Sequence, residues 1–273
     1  MARLPDDLLR LRDVVRRVAK KELLPRFAQV ARELKADGSL VTEADHAAQN
    51  RLEAELALAW PDIPLLGEET PPADQERILR QHQAGFWCLD PLDGTSNFTA
   101  GVPFFAVSLA RIGVDGPELG IVYDPLRDEC FAAARGQGAW CNDRPLRVPE
   151  LDIPLKRTLA VVDMKRLDPA LASRLAARPP YGSQRNFGSC ALEWCWLADG
   201  RVHCYVHGGQ KLWDYAAGLV ILLEAGGQAE TLDGQRIRGD SLLPCSVLAA
   251  GNATLLADFR TYLTRPPMAS APS

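Results

Sequence analysis

Leu4, Leu8, Leu11, Val15 and Val18 recur every three or four residues, the period that lines one face of an α-helix. The spacing predicts one amphipathic helix over residues 5–34, kinked at Pro25, which lacks the N–H its turn needs. Ala44, Ala48, Leu52 and Leu56 repeat the period, so a second helix is expected from Thr42 until Pro61 stops it. Phe86-Trp87-Cys88-Leu89 is a short unbroken apolar run that ends on an acid. It reads as a buried strand delivering Asp90 at its end. Strand-length runs follow at 103–112, 118–123 and 129–134, with Gly136-Gln137-Gly138 as a turn. Helices on an antiparallel sheet are the expectation for this half.

Beyond a polar, proline-bearing connection at 142–156 the pattern changes to alternation. Strand 158–163 leads to a helix opened by Asp168-Pro169, a cap followed by a proline. Strand 183–187 precedes a helix at 189–199, and strand 201–206 precedes one at 214–225, closed by Gly226-Gly227. A strand at 246–250 and a helix at 253–263 complete a β/α series. The fold class is therefore α+β joined to α/β: an N-terminal half over 1–145, a C-terminal half over 146–265 and a tail at 266–273. The halves are expected to pack as one unit, since no flexible linker, repeat or low-complexity block separates them.

Composition narrows the function. Hydrophobic residues make up 47% and charged residues 24% of 273, ordinary for a globular protein in water. The net charge is −4 and no Lys/Arg run exceeds two residues, so a sequence-independent grip on nucleic acid is not expected. The seven cysteines contain no Cys-x-x-Cys pair, which disfavours a zinc site or a disulfide framework and suits a reducing cytosol. The N-terminal stretch mixes charges of both signs, unlike a signal peptide, and no stretch reaches the roughly 20 apolar residues of a membrane helix. A cytoplasmic protein without a membrane partner is expected.

Chemistry concentrates at Asp90-Pro91-Leu92-Asp93-Gly94-Thr95. Two carboxylates around a proline turn at a strand end can converge on one point, and oxygen ligands of this kind suit a hard cation such as Mg²⁺. Gly94 lets the backbone approach an anion, and the N–H groups of Gly94 and Thr95 could face a phosphate. Asp, Pro and Gly are also ordinary turn residues. Against a turn alone stands the cost of two acids directly after a buried strand with no cation nearby in sequence. Gly67-Glu68-Glu69 alone reads as a solvated loop. Trp213-Asp214 opens a helix, where an acid is favoured by the dipole, and Thr42-x-x-Asp45 fits a capping box.

Taken together, Lys35, Val41-Thr42-x-Ala44-Asp45, Gly67-Glu68-Glu69, Asp90-Pro91-x-Asp93-Gly94-Thr95-x-Asn97-Phe98 and Trp213-Asp214-x-Ala216-Ala217-Gly218 resemble the inositol monophosphatase family. Gly120-Ile121-Val122-Tyr123-Asp124-Pro125, Gly136-x-Gly138-Ala139-Trp140 and Glu224-Ala225-Gly226-Gly227 extend the resemblance over residues 35–250. It implies a layered α-β-α-β-α sugar-phosphatase-type sandwich, a homodimer, lithium sensitivity and Mg²⁺-dependent hydrolysis of a small phosphorylated substrate. By the same resemblance Glu68, Asp90 and the Leu92 carbonyl would bind one metal and Asp90, Asp93 and Asp214 a second, with Glu68 able to support a third. Thr95, bonded to Asp45, would orient or deprotonate the attacking water. Gly94, Thr95, Gly188, Ser189, His207 and Asp214 would contact the substrate.

One position departs from the pattern. Inositol-specific members carry an acid seven residues before the Trp-Asp aspartate, and here that residue is His207. His207 would suit a second anionic group, or it sits outside the pocket on a turn beside Gly208-Gly209. Phosphatases of 3′-phosphoadenosine 5′-phosphate, fructose 1,6-bisphosphate or histidinol phosphate are the alternatives, as is a regulatory binding protein of the same fold.

Overall fold

The computed structural model describes residues 4–29, 33–34, 40–81 and 85–264. Lys35, His82 and the tail at 266–273 lie outside them. α1 (Asp6–Val18) buries Leu8, Leu11, Val15 and Val18 along one face. It does not continue to residue 34 as the spacing predicted. The chain widens into a π turn at Ala19–Leu23, tightens to a 3₁₀ turn at Leu24–Arg26 and leaves the helix. Pro25 accounts for the exit, since it offers no N–H to the ladder and its ring crowds the preceding turn. Glu33–Leu34 is instead strand β1, antiparallel to β2 (Leu40–Val41). α2 (Glu43–Ala59) starts at Thr42, whose hydroxyl accepts the Ala44 N–H while Asp45 accepts the Thr42 N–H.

Seven strands form the first sheet in chain order: β3 (Leu65–Gly67), β4 (Phe86–Asp93), β5 (Ala106–Gly113), β6 (Gly116–Asp124), β7 (Glu129–Ala134), β8 (Gly138–Cys141) and β9 (Arg144–Leu146). β3 and β4 are parallel, with α3 (Pro72–Arg80) between them in the chain, and every later neighbour is antiparallel. α4 (Thr95–Ala100) follows β4 directly. The second sheet contains β10 (Leu159–Asp163), β11 (Ser183–Arg185), β12 (Cys204–Gln210), β13 (Gln228–Glu230) and β14 (Cys245–Ala250), in the order β11-β10-β12-β14-β13. β10 is parallel to β11 and β12, while β14 is antiparallel to both its neighbours. The alternation of the sequence therefore yields a mixed sheet. The helices of this half are α5 (Pro169–Ala177), α6 (Cys190–Ala198), α7 (Leu212–Glu224) and α8 (Ala253–Thr264).

The side-chain period of two sorts each strand between cores. Trp87 and Leu89 of β4 join α1 and α2 in one apolar cluster, whereas Phe86 and Cys88 face a second cluster built on α6 and α7. Val161, Tyr205, Val247 and Ala249 of the other sheet enter that second cluster from its far side. Their neighbours Ala160, Val162, Cys204, Val206 and Leu248 face α5 and α8. The layers therefore run α, β, α, β, α, a layered α-β-α-β-α sandwich in which α6 and α7 lie between the sheets.

Candidate active site

β4 leaves regular pairing where the acids sit. Asp90 lies opposite Ser108 and Asp93 opposite Ala106, so three steps along β4 match two along β5. Such a bulge bends the strand and re-aims its side chains. Pro91, which cannot donate to the ladder, stands inside it. Asp90 and Asp93 are only 2% and 8% exposed, so both charges leave water. The Leu92 N–H donates to Asp90 Oδ1 at 3.0 Å. Asp93 meets the start of α6: the Ser189 hydroxyl donates to Oδ2 at 2.6 Å, the Ala191 N–H to Oδ2 at 2.7 Å and the Cys190 N–H to Oδ1 at 3.2 Å. The N-terminal N–H groups of a helix lack intrahelical acceptors, so a carboxylate is a natural partner for them.

Gly94 turns the chain from β4 into α4 with φ of 96°, which a side chain rarely adopts. A Cβ there would also stand 3.2 Å from the Gly188 carbonyl oxygen, so glycine permits the close approach of the two loops. Asn97 ties them by donating to the carbonyls of Phe104 and Phe187. Thr95 Oγ1 lies 3.2 Å from Asp45 Oδ1 and 3.1 Å from the Leu92 carbonyl oxygen. The other Asp45 oxygen accepts from the Thr42 N–H and hydroxyl at 2.8 and 2.6 Å. Capping and the Thr95 contact thus use different oxygens of one carboxylate. Asp214 caps α7 in a similar way, accepting the Lys211 N–H at 2.8 Å on Oδ2. Glu68 follows β3, and its N–H donates to the Leu89 carbonyl, which fixes it beside β4.

These acids feel one another. Burial pushes the Asp90 carboxyl far up, and repulsion from Glu68, Asp93 and Asp214 adds to it. Asp214 is raised by burial and then by Asp93 and Glu68. Burial lifts Asp93 to about 6 even though Ser189, Ala191 and Cys190 stabilise its charged form. Asp45 is raised by burial, against its bonds from Thr42. Clustered, desolvated carboxylates are costly unless a proton or a cation compensates them.

Among the described residues no three His, Cys, Asp or Glu side chains form a ready-made metal cage. Mg²⁺ does not require one. It dehydrates reluctantly, keeps several waters and is usually held by one or two carboxylates together with substrate phosphate. The donors here are all oxygens, and their mutual repulsion is the form of charge such a cation relieves. The residues present fit Mg²⁺.

Opposite the acids, His207 is not on a turn at the edge. It lies inside β12 and is 4% exposed. Its Nε2 is 4.0 Å from Cys190 Sγ and 3.5 Å from Asp163 Oδ2. Gly208 and Gly209 form a second bulge, between His207 opposite Val247 and Gln210 opposite Cys245. Two acids that sequence reasoning passed over lie near these residues. Asp163 ends β10, and a strand ending on an acid was its available cue. Glu193 is 2% exposed and accepts the N–H groups of Phe187 and Gly188 at 2.7 and 3.2 Å, holding the loop before α6. Its cue was an acid one turn into an otherwise apolar helix.

A family model described as the inositol monophosphatase family matches residues 9–264. The inositol-1-monophosphatase of Mesorhizobium japonicum is 36% identical over 227 residues, which cover 81% of this chain and 82% of its own. Among solved structures, the extragenic suppressor protein suhB of Bartonella henselae aligns with a TM-score of 0.82 at 27% identity, over 96% of this chain and 99% of its own. An IMPase/NADP phosphatase complexed with Mg²⁺ and phosphate aligns with a TM-score of 0.75 at 25% identity over 89% of each chain.

Proposed function

Since the chain belongs to the inositol monophosphatase family, we propose that it is a Mg²⁺-dependent phosphatase that hydrolyses a small phosphate monoester. The observation that carries this reading is the cluster of Glu68, Asp90, Asp93 and Asp214, whose charges repel one another around the buried end of β4. Glu68, Asp90 and the Leu92 carbonyl would hold one cation, and Asp90, Asp93 and Asp214 a second. When bound, Mg²⁺ neutralises phosphoryl oxygens and makes water a better nucleophile.

The chain's own residues supply position and proton traffic. Thr95 Oγ1, at the start of α4, accepts a proton from the attacking water as its own proton passes to Asp45 Oδ1, 3.2 Å away. Burial makes Asp45 a stronger base than an exposed carboxylate, and its bonds from Thr42 keep Oδ1 aimed at Thr95. The backbone N–H groups of Gly94 and Thr95, at the start of α4, would donate to the phosphate. The new O–P bond forms as the ester O–P bond breaks, the leaving alkoxide takes a proton from a second water to become the alcohol, and Asp45 gives its proton back to the resulting hydroxide through solvent. Phosphoryl transfer asks for positioning and charge neutralisation more than covalent help, which this side-chain set provides. A homodimer, lithium sensitivity and a cytoplasmic location are part of the same family reading. Among the described residues no helix is long and apolar enough to cross a membrane.

Phosphate release from a panel of monoesters, with Mg²⁺ and with excess chelator, tests the proposal. Release from at least one ester that stops on chelation is expected. Release indifferent to chelator refutes the metal assignment, and no release from any ester refutes the activity.

A further inference from the structure

α7 ends beside a cavity of about 220 Å³, formed where the β5–β6 turn, the end of β7 and β13 meet that helix. β5 runs from Ala106, opposite Asp93, to Gly113 at the turn, so roughly 23 Å of strand separates the cavity from the acids. Its floor is apolar: Leu219 and Val220 of α7 and Ile237 are all buried. Guanidiniums stand around that floor. Arg135 donates through Nη2 to the carbonyls of Asp115 and Pro117, which holds it over the turn and leaves Nη1 and Nε unused among the described residues. Arg236 has no hydrogen bond or ion pair among the described residues. Arg238 meets Asp240 at 3.3 Å in a pair open to water, which holds it weakly. Two carboxylates share the lining. Glu224 accepts the N–H groups of Gly136 and Gly138, one on each oxygen, and Asp115 lies in the turn.

We propose that this cavity binds a small aromatic monoanion, a planar ring carrying one sulfonate or carboxylate group. An apolar lining with a few placed polar groups is the usual make-up of a ligand site. About 150 Å³ is enough for a benzene ring, so about 70 Å³ of the 220 Å³ is left for the anionic group. Guanidinium suits both parts of such a ligand, because it pairs with planar anions through two N–H groups and stacks on aromatic faces. Asp115 and Glu224 set the limit of one charge, since a second would meet their repulsion and that of the carbonyl end of α7. Glu224 and the Gly136–Gly138 turn, which the phosphatase chemistry leaves unused, thereby form one wall of this site.

The test titrates benzenesulfonate into the full chain and follows binding by calorimetry, with Mg²⁺ and inorganic phosphate present so that the acids are occupied. A ligand of this size should bind with Kd on the order of 1 mM. Benzenesulfonamide keeps the ring without the charge, and inorganic sulfate keeps the anion without the ring. Each should bind at least about tenfold more weakly. Arg236→Gln and Arg135→Gln should each weaken benzenesulfonate about tenfold, the loss of one charged hydrogen-bonding partner. Arg236 is exposed, so its variant should melt with wild type. Arg80→Gln removes an equally exposed guanidinium from α3 and should leave binding unchanged. Binding is read without turnover, so the result is independent of the phosphatase reading. No saturable binding of benzenesulfonate below about 20 mM would overturn the proposal. So would equal binding of sulfate or the sulfonamide, or an equal loss in Arg80→Gln.

Discussion

Asp45 divides its work between two oxygens. Oδ2 closes the capping box with Thr42, and Oδ1 receives Thr95. The sequence motif Thr42-x-x-Asp45 allowed a cap or a catalytic pair, and the geometry accommodates both. Thr95→Ala and Asp45→Asn should each lower kcat at least tenfold, and the double variant should lose little more than the worse single one, as expected of groups acting as a unit. If Asp45 only caps, Asp45→Ala will cost about 1 kcal/mol of stability while Asp45→Asn costs little, and both will leave kcat nearly intact. Kinetics and thermal melting on the same variants separate these outcomes. Asp90 and Asp93 stood out in the sequence because they closely follow an apolar run, and burying acids needs a reason. Asp163 had the same cue, a strand ending on an acid. Its pairing with His207 was not legible, because it depends on a parallel register that local pattern does not encode.

At the scale of elements, the N-terminus of α6 joins the acids of β4 to β12, through Asp93 on one side and His207 on the other. Its Ser189, Cys190 and Ala191 hold Asp93, and Glu193, one turn in, holds the preceding loop through Phe187 and Gly188. Burial pushes Glu193 from its ordinary 4.5 to about 7. The sign follows from proton counting. Between those values the folded chain binds more protons than the unfolded one, so this group makes stability fall as pH rises through the window and level off above it. Glu193→Gln keeps an acceptor for both N–H groups and removes the titration. The variant's Tm relative to wild type should therefore rise by several degrees between pH 5 and pH 8 in metal-free buffer. A difference that stays constant with pH would show that Glu193 is not buried with a raised pKa. α2 was legible to within a residue or two at both ends, and α5 at its start, where Asp168-Pro169 marks it. The short α3, α4, β3, β8, β9 and β13 were not, since three to nine residues carry too little periodicity to stand out from loops. The N-terminal helix was overextended for the opposite reason: the apolar spacing continues where Pro25 ends the backbone ladder.

The whole molecule explains why the site exists only in the assembled fold. Glu68 and Asp90 come from parallel neighbours β3 and β4, Asp45 and Thr95 from the starts of α2 and α4, and Asp214 from α7 between the sheets. The apolar cluster around α6 and α7 takes residues from both sheets, so packing between the layers brings Asp93 to α6 and Asp214 towards the others. Layer order was legible from the resemblance and from the strand-rich first half. The mixed second sheet was not, because alternating strands and helices do not reveal that β14 inserts antiparallel between β12 and β13. Asp90 has the central place in this assembly, where Glu68, Asp93 and Asp214 all act on it. Asp90→Asn removes one of several like charges, so the metal-free protein should melt at the same temperature as wild type or higher. The most direct measurement is phosphate release against Mg²⁺ concentration for wild type and this variant. Saturable, Mg²⁺-dependent release by wild type and less than a hundredth of it in Asp90→Asn at every Mg²⁺ level is the predicted result. A folded Asp90→Asn protein retaining more than a tenth of wild-type release would contradict the assignment.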